Sequence, residues 1–341
     1  MREEVALLRT SVERMCAQIA PAHLDDVDDH PDTDVPRAVL SALEELGLES
    51  IDTATEDGRR LLSAGLDALA ERSAALATLV LVRAGARALA GEAAPEGHGA
   101  FPIYADLPEC TPRPTVEARG DGVCIEGHLE MVAGAPVADW LLVPLDGHGA
   151  TPSRLAISAA RAGGVHRGPP LLTLGMRGCP TSDVVFHGIE VQASSVIAFR
   201  EEVMARFRGP VCAITAALAR SSFETAFAYA QERVQGGRPI VEHGEVRRML
   251  ADAQSAASLC AQAVRALCAD PADVGLLIRA REAAAQATSD GVQVLGGYGY
   301  MEDYGQERRM RDARQACMLL GRGEVLRQRM LPPAATAMEP G

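Results

Sequence analysis

Four long stretches near the C-terminus constrain this chain more than any other feature. Residues 205–234, 243–269, 273–295 and 306–330 each repeat apolar residues at helical spacing with few breakers. A helix with one apolar stripe must bury that stripe against another element. Four such helices joined by short connections predict an antiparallel four-helix bundle over 199–330. Residues 1–99 also read as helix, in LLRTSVERMCAQI, VPRAVLSALEELGL and the long LDALAERSAALATLVLVRAGARALAG. Pro36 suits a first helical turn there, and Gly47 and Gly91 suit stops. Between these helical regions the period changes. EARGDGVCIEGHLEMV, WLLVPL, SRLAIS and SDVVFHGIEV alternate or run apolar between Gly, Pro and Asp turns, which predicts a middle β domain over 100–198. The expected fold class is mostly α with a central β domain, followed by a flexible tail at 331–341. A chain of 341 residues has length enough for two or three such domains.

Composition removes several function classes. The net charge of −13 repels phosphate backbones and anionic lipid, so neither nucleic acid nor membrane is an expected partner. All 33 basic residues are arginine, which excludes a P-loop lysine, a Schiff-base lysine and a lysine general base. Arginine alone could signal phosphate recognition, but a GC-rich genome explains it together with the many alanines. The eight cysteines form no CxxC pair and no zinc spacing, so free thiols in a reducing compartment are expected. The N-terminal MREEVALLRTSVERM is an amphipathic helix pattern without a signal core, and no apolar run approaches membrane-spanning length. A cytoplasmic location follows. The acidic run around Asp25, Asp26, Asp28, Asp29, Asp32 and Asp34 lacks the glycine turn and terminal glutamate of a calcium loop, so no metal site is expected. HExxH, GxSxG and Walker sequences are absent.

Near the C-terminus stands QVLGGYGYMEDYGQERRMRDAR, Gln293 to Arg314. It resembles the C-terminal signature of the acyl-CoA dehydrogenase family. LGMRGCPTSDVVFHGIEV, Leu174 to Val191, resembles the end of that family's β domain, and AALARSSFETAFAYAQERVQGGRPI its first bundle helix. The resemblance covers roughly residues 100–330, and the N-terminal region by layout only. It implies a β-barrel-like middle domain and an FAD enzyme that oxidises an acyl-CoA thioester. A carboxylate takes the α-proton while the β-hydrogen leaves as hydride to the flavin. It also implies dimers or tetramers in which each FAD lies between two chains.

The chain departs from that pattern unevenly. Where the family carries Glu-Gly-Thr after its RDAR run, this sequence has Leu320, Gly321 and Arg322. At the alternative base position, one residue before an arginine, it has Phe207 followed by Arg208. Neither side chain accepts a proton, so no catalytic residue is assigned. Arg208, which the family keeps beside the substrate channel, is the substrate-binding candidate. Glu324 is also kept in the family and is not catalytic there. The flavin-cradling Thr-Glu-Pro loop, expected near 105–115, has no counterpart in DLPECTPRP. The Trp-Ile-Thr stretch is replaced by GHLEMVAG, and the lone Trp140 reads as a core residue of the ADWLLV strand. The half that covers a neighbour's ADP is better kept: Arg233, Gln235 and Gly237 of Arg-x-Gln-Phe-Gly, with Gly236 for Phe, and Gln293, Gly296 and Gly297 of QVLGG. Small residues there admit a pyrophosphate, and Arg and Gln supply donors. Arg308, Arg309, Arg311 and Arg314 could hold CoA phosphates, but structural ion pairs are the expected role.

Taken together, the resemblance implies a shorter, base-less subunit of a heteromeric acyl-CoA dehydrogenase. It would share FAD with a homologous full-length subunit, act on bulky fatty or steroid side-chain acyl-CoA, and pass electrons to an electron-transfer flavoprotein. Two alternatives stand beside it. One is a self-sufficient flavoprotein with other chemistry, such as a desulfinase or oxygenase, around Arg322. The other is a non-enzymatic scaffold that has lost FAD.

Overall fold

The computed structural model describes residues 2–18, 37–104, 114–145 and 153–331. The acidic run, Pro36, most of the 105–115 segment and the tail after Leu331 lie outside the described residues.

The N-terminal region comprises helices α1 (Arg2–Gln18), α2 (Arg37–Glu45), α3 (Glu56–Ala70) and α4 (Ala74–Ala90). The expected single long stretch through residues 66–91 is two helices. Arg72 N and Ser73 N both donate to Leu69 O, and the Ser73 hydroxyl then caps α4 by accepting from Leu76 N at 3.2 Å. A local cap overrode a continuous apolar pattern. Gly47 and Gly91 do end helical segments, both with positive φ. Helix α4 with the turn after it, Ala74–Ala93, does reach the length and apolarity that could cross a membrane, contrary to the expectation from run length. However, 83% of that window is buried inside the protein, as in a core helix. Arg9, Asp67, Glu71 and Arg220 form an ion-pair network that ties α1 and α3 to the bundle.

The middle region holds β1 (Gly99–Ala100), β2 (Thr115–Arg119), β3 (Gly122–Ala133), β4 (Trp140–Leu145), β5 (Arg154–Ala159), β6 (Val165–Arg167), β7 (Thr181–Val191) and β8 (Val196–Ala198). They form two four-stranded sheets, ordered β1-β4-β5-β8 and β2-β3-β7-β6. Among the described residues only the β1–β4 pair is parallel. Strand β4 is buried throughout, which explains why WLLVPL runs apolar instead of alternating. Trp140 is 2% exposed, and its indole N–H donates to Gly97 O at 3.3 Å, so the only tryptophan is a core residue as expected. Strand β3 shifts register between Leu129 and Val132. The bulge puts Met131 at φ 53° and hands its N–H to the Asp183 carboxylate at 2.9 Å.

The C-terminal region contains α5 (Glu201–Ala205), α6 (Arg208–Glu232), the hairpin β9 (Val234–Gln235) and β10 (Arg238–Pro239), then α7 (Gly244–Ala269), α8 (Val274–Leu295), α9 (Gly297–Tyr300), α10 (Gln306–Ala316) and α11 (Gly323–Met330). Helices α6, α7, α8 and α10 build the bundle. The fourth helix is shorter than the expected 306–330, because the chain turns at 317–322. Leu320 adopts φ 58° and Gly321 φ 112° there. Tertiary bonds hold that turn: Leu320 N donates to Ile103 O at 3.1 Å, and the buried Arg281 guanidinium donates to Leu319 O. Among the described residues all seven cysteines are free, five of them buried. Burial pushes the Cys179 and Cys260 thiols up to about 12, so both remain protonated and inert at neutral pH.

Candidate functional site

The end of α6 and the end of α8 meet at one end of the bundle. Helix α6 stops at Glu232, and Arg233 N closes its last turn on Tyr229 O at 2.9 Å. The chain then reverses through a two-residue hairpin turn with Gly236 at φ 61° and Gly237 at φ 80°. Two successive positive φ values define a type I′ turn, which favours glycine at both positions. The glycine at the expected Phe position therefore has a backbone reason. Ile240 N donates back to Arg233 O at 2.8 Å and closes the loop. Opposite it, α8 ends at Gly296, whose N–H donates to Val292 O at 3.0 Å and whose φ of 59° turns the chain into α9.

These elements enclose a cavity of about 570 Å³ lined by Tyr229, Arg233, Gln235, Ile240, Val294, Leu295, Gly296, Gly297, Tyr298 and Met301. Its floor is a small apolar cluster of Ala226, Ala230, Ile240, Leu250, Val294 and Leu295. Tyr298 lies with its ring 5.8 Å from the Arg233 guanidinium and 5.9–6.1 Å from the rings of Tyr229 and Tyr304. A side chain added at Gly237, Gly296 or Gly297 would meet nothing within 4 Å, so the glycines open onto free space. Four of the five expected cofactor residues (Arg233, Gln235, Gly296 and Gly297) thus line one cavity. The fifth, Gln293, is exposed on the last turn of α8 and does not line it. Sequence reasoning passed over Tyr298 and Met301, although both stand within the quoted signature. No spacing rule marks a tyrosine as a cavity wall before its neighbours are known.

The two base positions are different in character. Phe207 is 1% exposed and packs in the main core. Leu320 packs against the same core from the left-handed turn. Glu324 is exposed on the first turn of α11. Arg208, the expected substrate contact, uses its guanidinium inside the chain. It donates to Pro271 O at 2.7 Å, to Ala272 O at 3.3 Å and to Glu201 at 3.1 Å, and burial pulls it below its ordinary value. These bonds close the α7–α8 turn, and Arg208 does not line the cavity. Arg322 is half-buried; its Nε has no hydrogen-bond partner among the described residues, and no ion pair forms to it there. At the missing Trp-Ile-Thr stretch stand the bulged Met131 and the buried Ala133, which offer no side-chain donor. Among the described residues no group of three or more His, Cys, Asp or Glu side chains could hold a metal.

The arginine-rich α10 is built into the protein. Arg309 donates to Tyr304 O at 3.1 Å, Arg311 pairs with Glu307 and reaches Leu174 O at 3.1 Å, and Arg314 donates to Ser289 at 3.0 Å. Its acid and amides do more. The Asp312 carboxylate accepts Met176 N at 2.5 Å, and Gln315 accepts Gly175 N at 3.1 Å. Fully buried Gln306 bonds the Ser222 hydroxyl of α6. The GMRG and RDAR segments, distant in sequence, therefore dock directly on one another.

Residues 198–331 match the family described as acyl-CoA dehydrogenase, C-terminal domain. The chain as a whole has the acyl-CoA dehydrogenase fold: it superposes on butyryl-CoA dehydrogenase from Megasphaera elsdenii with a TM-score of 0.80, covering 96% of this chain and 97% of that one at 19% identity. By sequence it is similar to a 3-(aryl)acrylate reductase of Clostridium sporogenes, 29% identical over 229 residues, which are 62% of this chain and 61% of that protein. It is also similar to a cyclohex-1-ene-1-carbonyl-CoA dehydrogenase of Syntrophus aciditrophicus, 30% identical over 232 residues, 61% of this chain and 55% of that protein. The chain thus spans less than two thirds of the length of these curated relatives. Among the similar solved structures, a glutaryl-CoA dehydrogenase from Mycobacterium smegmatis is in complex with FADH2, at 15% identity. The cavity has the cation, amide donor and open glycines that suit the nucleotide end of FAD, whereas Met131 and Ala133 carry no side-chain donor for a flavin ring.

Proposed function

We propose that this chain is a base-less subunit of an FAD-dependent oxidoreductase of the acyl-CoA dehydrogenase type, and that it completes the flavin site of a homologous full-length subunit. One observation carries the reading. Arg233, Gln235, Gly296 and Gly297 converge on an open cavity, while both positions for a proton-abstracting carboxylate, Phe207 and Leu320, are apolar. When bound, FAD supplies the hydride acceptor. Arg233 brings charge and paired donors to a pyrophosphate, Gln235 adds an amide, and the glycines let the backbone approach. Nothing at Phe207 or Leu320 can remove an α-proton, so that group comes from the partner. The proposed substrate is a bulky acyl-CoA thioester, of the fatty or steroid side-chain kind, with an electron-transfer flavoprotein as acceptor and the cytoplasm as location. Residues 1–99, 100–198 and 199–330 are the proposed domains.

A second reading, a self-sufficient flavoprotein with other chemistry, is favoured by one feature. Arg322 is a half-buried guanidinium without an ion pair among the described residues, beside the base position, and is suited to a substrate anion. The FAD-to-protein ratio and visible spectrum of the chain expressed alone separate the two. A colourless chain that turns yellow at about half occupancy only when co-expressed with a full-length homologue is the expected result. Near-stoichiometric flavin in the isolated chain overturns the shared-site reading in favour of the second. Unchanged flavin in the complex after Arg233→Ala and Gln235→Ala overturns both in favour of a scaffold.

A further inference from the structure

Far in sequence from the bundle, His98 sits between two carboxylates. Its Nε2 is 2.8 Å from Glu44 Oε1 and its Nδ1 is 3.1 Å from Glu49 Oε2. The two glutamates lie either side of a tight turn, in which Gly47 N donates to Glu44 O at 3.0 Å and Gly47 takes φ 64°. The imidazole is held in place through its own backbone. His98 N donates to the Asp139 carboxylate at 2.8 Å, and His98 O accepts Asp139 N at 2.8 Å and Trp140 N at 3.3 Å. The preceding Gly97 O accepts from Arg87 at 3.1 Å. A neutral imidazole has one N–H, so it can donate to only one of these carboxylates; the other would face a lone pair.

Beside this pair lies Arg83 of α4. Its side chain is 2% exposed, Glu49 Oε1 stands 3.9 Å away, and Nη1 and Nη2 are both buried without a hydrogen-bond partner. A buried guanidinium with two unmet donors is costly, and a small swing of Glu49 would meet them. We propose that His98 is an imidazolium clamp holding the Glu44–Glu49 turn to the edge of the β1–β4 sheet, and that Glu49 passes to Arg83 when His98 loses its proton. The one N–H that remains can then stay on Glu44 through Nε2 while Glu49 is held by Arg83, and with the imidazolium charge gone the turn loosens without detaching. The switch gates how firmly α2 and its following turn dock on the body.

The charged groups facing the clamp among the described residues are Glu44 from α2, Glu49 from the turn after it, Arg83 and Arg87 from α4, and Asp139 before β4. The Cys179 thiol before β7 stays neutral. The hydrogen bond to Glu49 raises His98 above the ordinary imidazole value, against burial and the nearby Arg83, with Glu44 adding to the rise. For Glu49, burial acts upward, but the bond and charge of His98, with Arg83 and Arg87, bring it below the ordinary carboxylate value. The His98 contribution is therefore complete below the free imidazole value and lost as pH rises through the higher folded value. The Glu49 contribution is lost at the acid end, as pH falls through its lowered value.

Two measurements on the full chain test the clamp. Nitrogen-edited NMR of the imidazole rings should show His98 with both ring nitrogens protonated at neutral pH and titrating above the free value. Hydrogen exchange of residues 44–50, corrected for intrinsic pH dependence, should quicken across that titration, by about tenfold per pH unit by which His98 is raised. Glu49→Gln should bring the titration down and flatten the exchange step. Arg83→Met should enlarge the step, because the released Glu49 finds no second partner. A neutral His98 at pH 7, or an exchange step of the same size in Arg83→Met, overturns the proposal. The imidazole titration needs only the unmodified protein, so a variant that fails to fold does not rescue it.

Discussion

The cavity at the end of the bundle and the turn at the base position lie on the same helical scaffold but are finished in opposite ways. Around Arg233, Gln235, Gly296 and Gly297 the backbone is shaped by glycines, a side chain added at Gly296 or Gly297 would meet open space, and the packing is an apolar floor with the Tyr298 ring beside Arg233. Around Phe207 and Leu320 apolar side chains fill the interior, and the polar backbone is consumed by Ile103 and Arg281. A site that must admit a ligand keeps donors unspent. A site converted to structure spends them internally. On the proposed reading, the contrast separates the half of a shared site that this chain lends from the half it leaves to its partner.

Several substitutions would break or sharpen that contrast. Phe207→Ala should be the most damaging, lowering unfolding free energy by about 3–5 kcal/mol through the cavity it leaves, as read by urea denaturation. A change below about 1 kcal/mol would mean the position is not structural. Asp312→Ala should come next, at about 1–3 kcal/mol, since it strands the buried Met176 N–H and undocks the GMRG segment from α10. Gly236→Ala should cost about 1–2 kcal/mol by placing a Cβ at positive φ in the hairpin turn. It should also loosen flavin retention in the complex. Arg233→Ala should change stability least, by under about 0.5 kcal/mol for an exposed side chain, yet weaken flavin binding in the complex about tenfold. If stability and flavin binding fell together at Arg233, the two regions would not be finished differently after all.

The helices of the bundle and the middle strands could be read along the chain because each announces itself by local period. The same holds for the Arg233–Gly237 and Gly296–Gly297 elements, where glycine placement and turn chemistry act over a few residues. The base positions were legible as apolar for the same reason: a leucine or phenylalanine cannot take a proton in any fold. Other features depended on partners distant in sequence. The helical pattern over 306–330 gave no warning of the break at Leu320, because that left-handed turn is held by Ile103 and Arg281 from other elements. Arg208 read along the chain as a substrate contact, and nothing in its neighbours announced the bonds from its Nη1 to Pro271 O and Ala272 O in the α7–α8 turn. Tyr298 became a cavity wall only when α9 folded it against Arg233 and Tyr229.

By itself, then, the sequence determined where helix and strand alternate, which positions can never act as a base, and which glycines leave room for a ligand. Those properties belong to single residues or to neighbours along the chain. Tertiary structure decided which arginines are already committed, where the last helix breaks, and that His98 stands between Glu44 and Glu49. Each of those depends on groups tens to hundreds of residues apart, and only folding determines which of them meet.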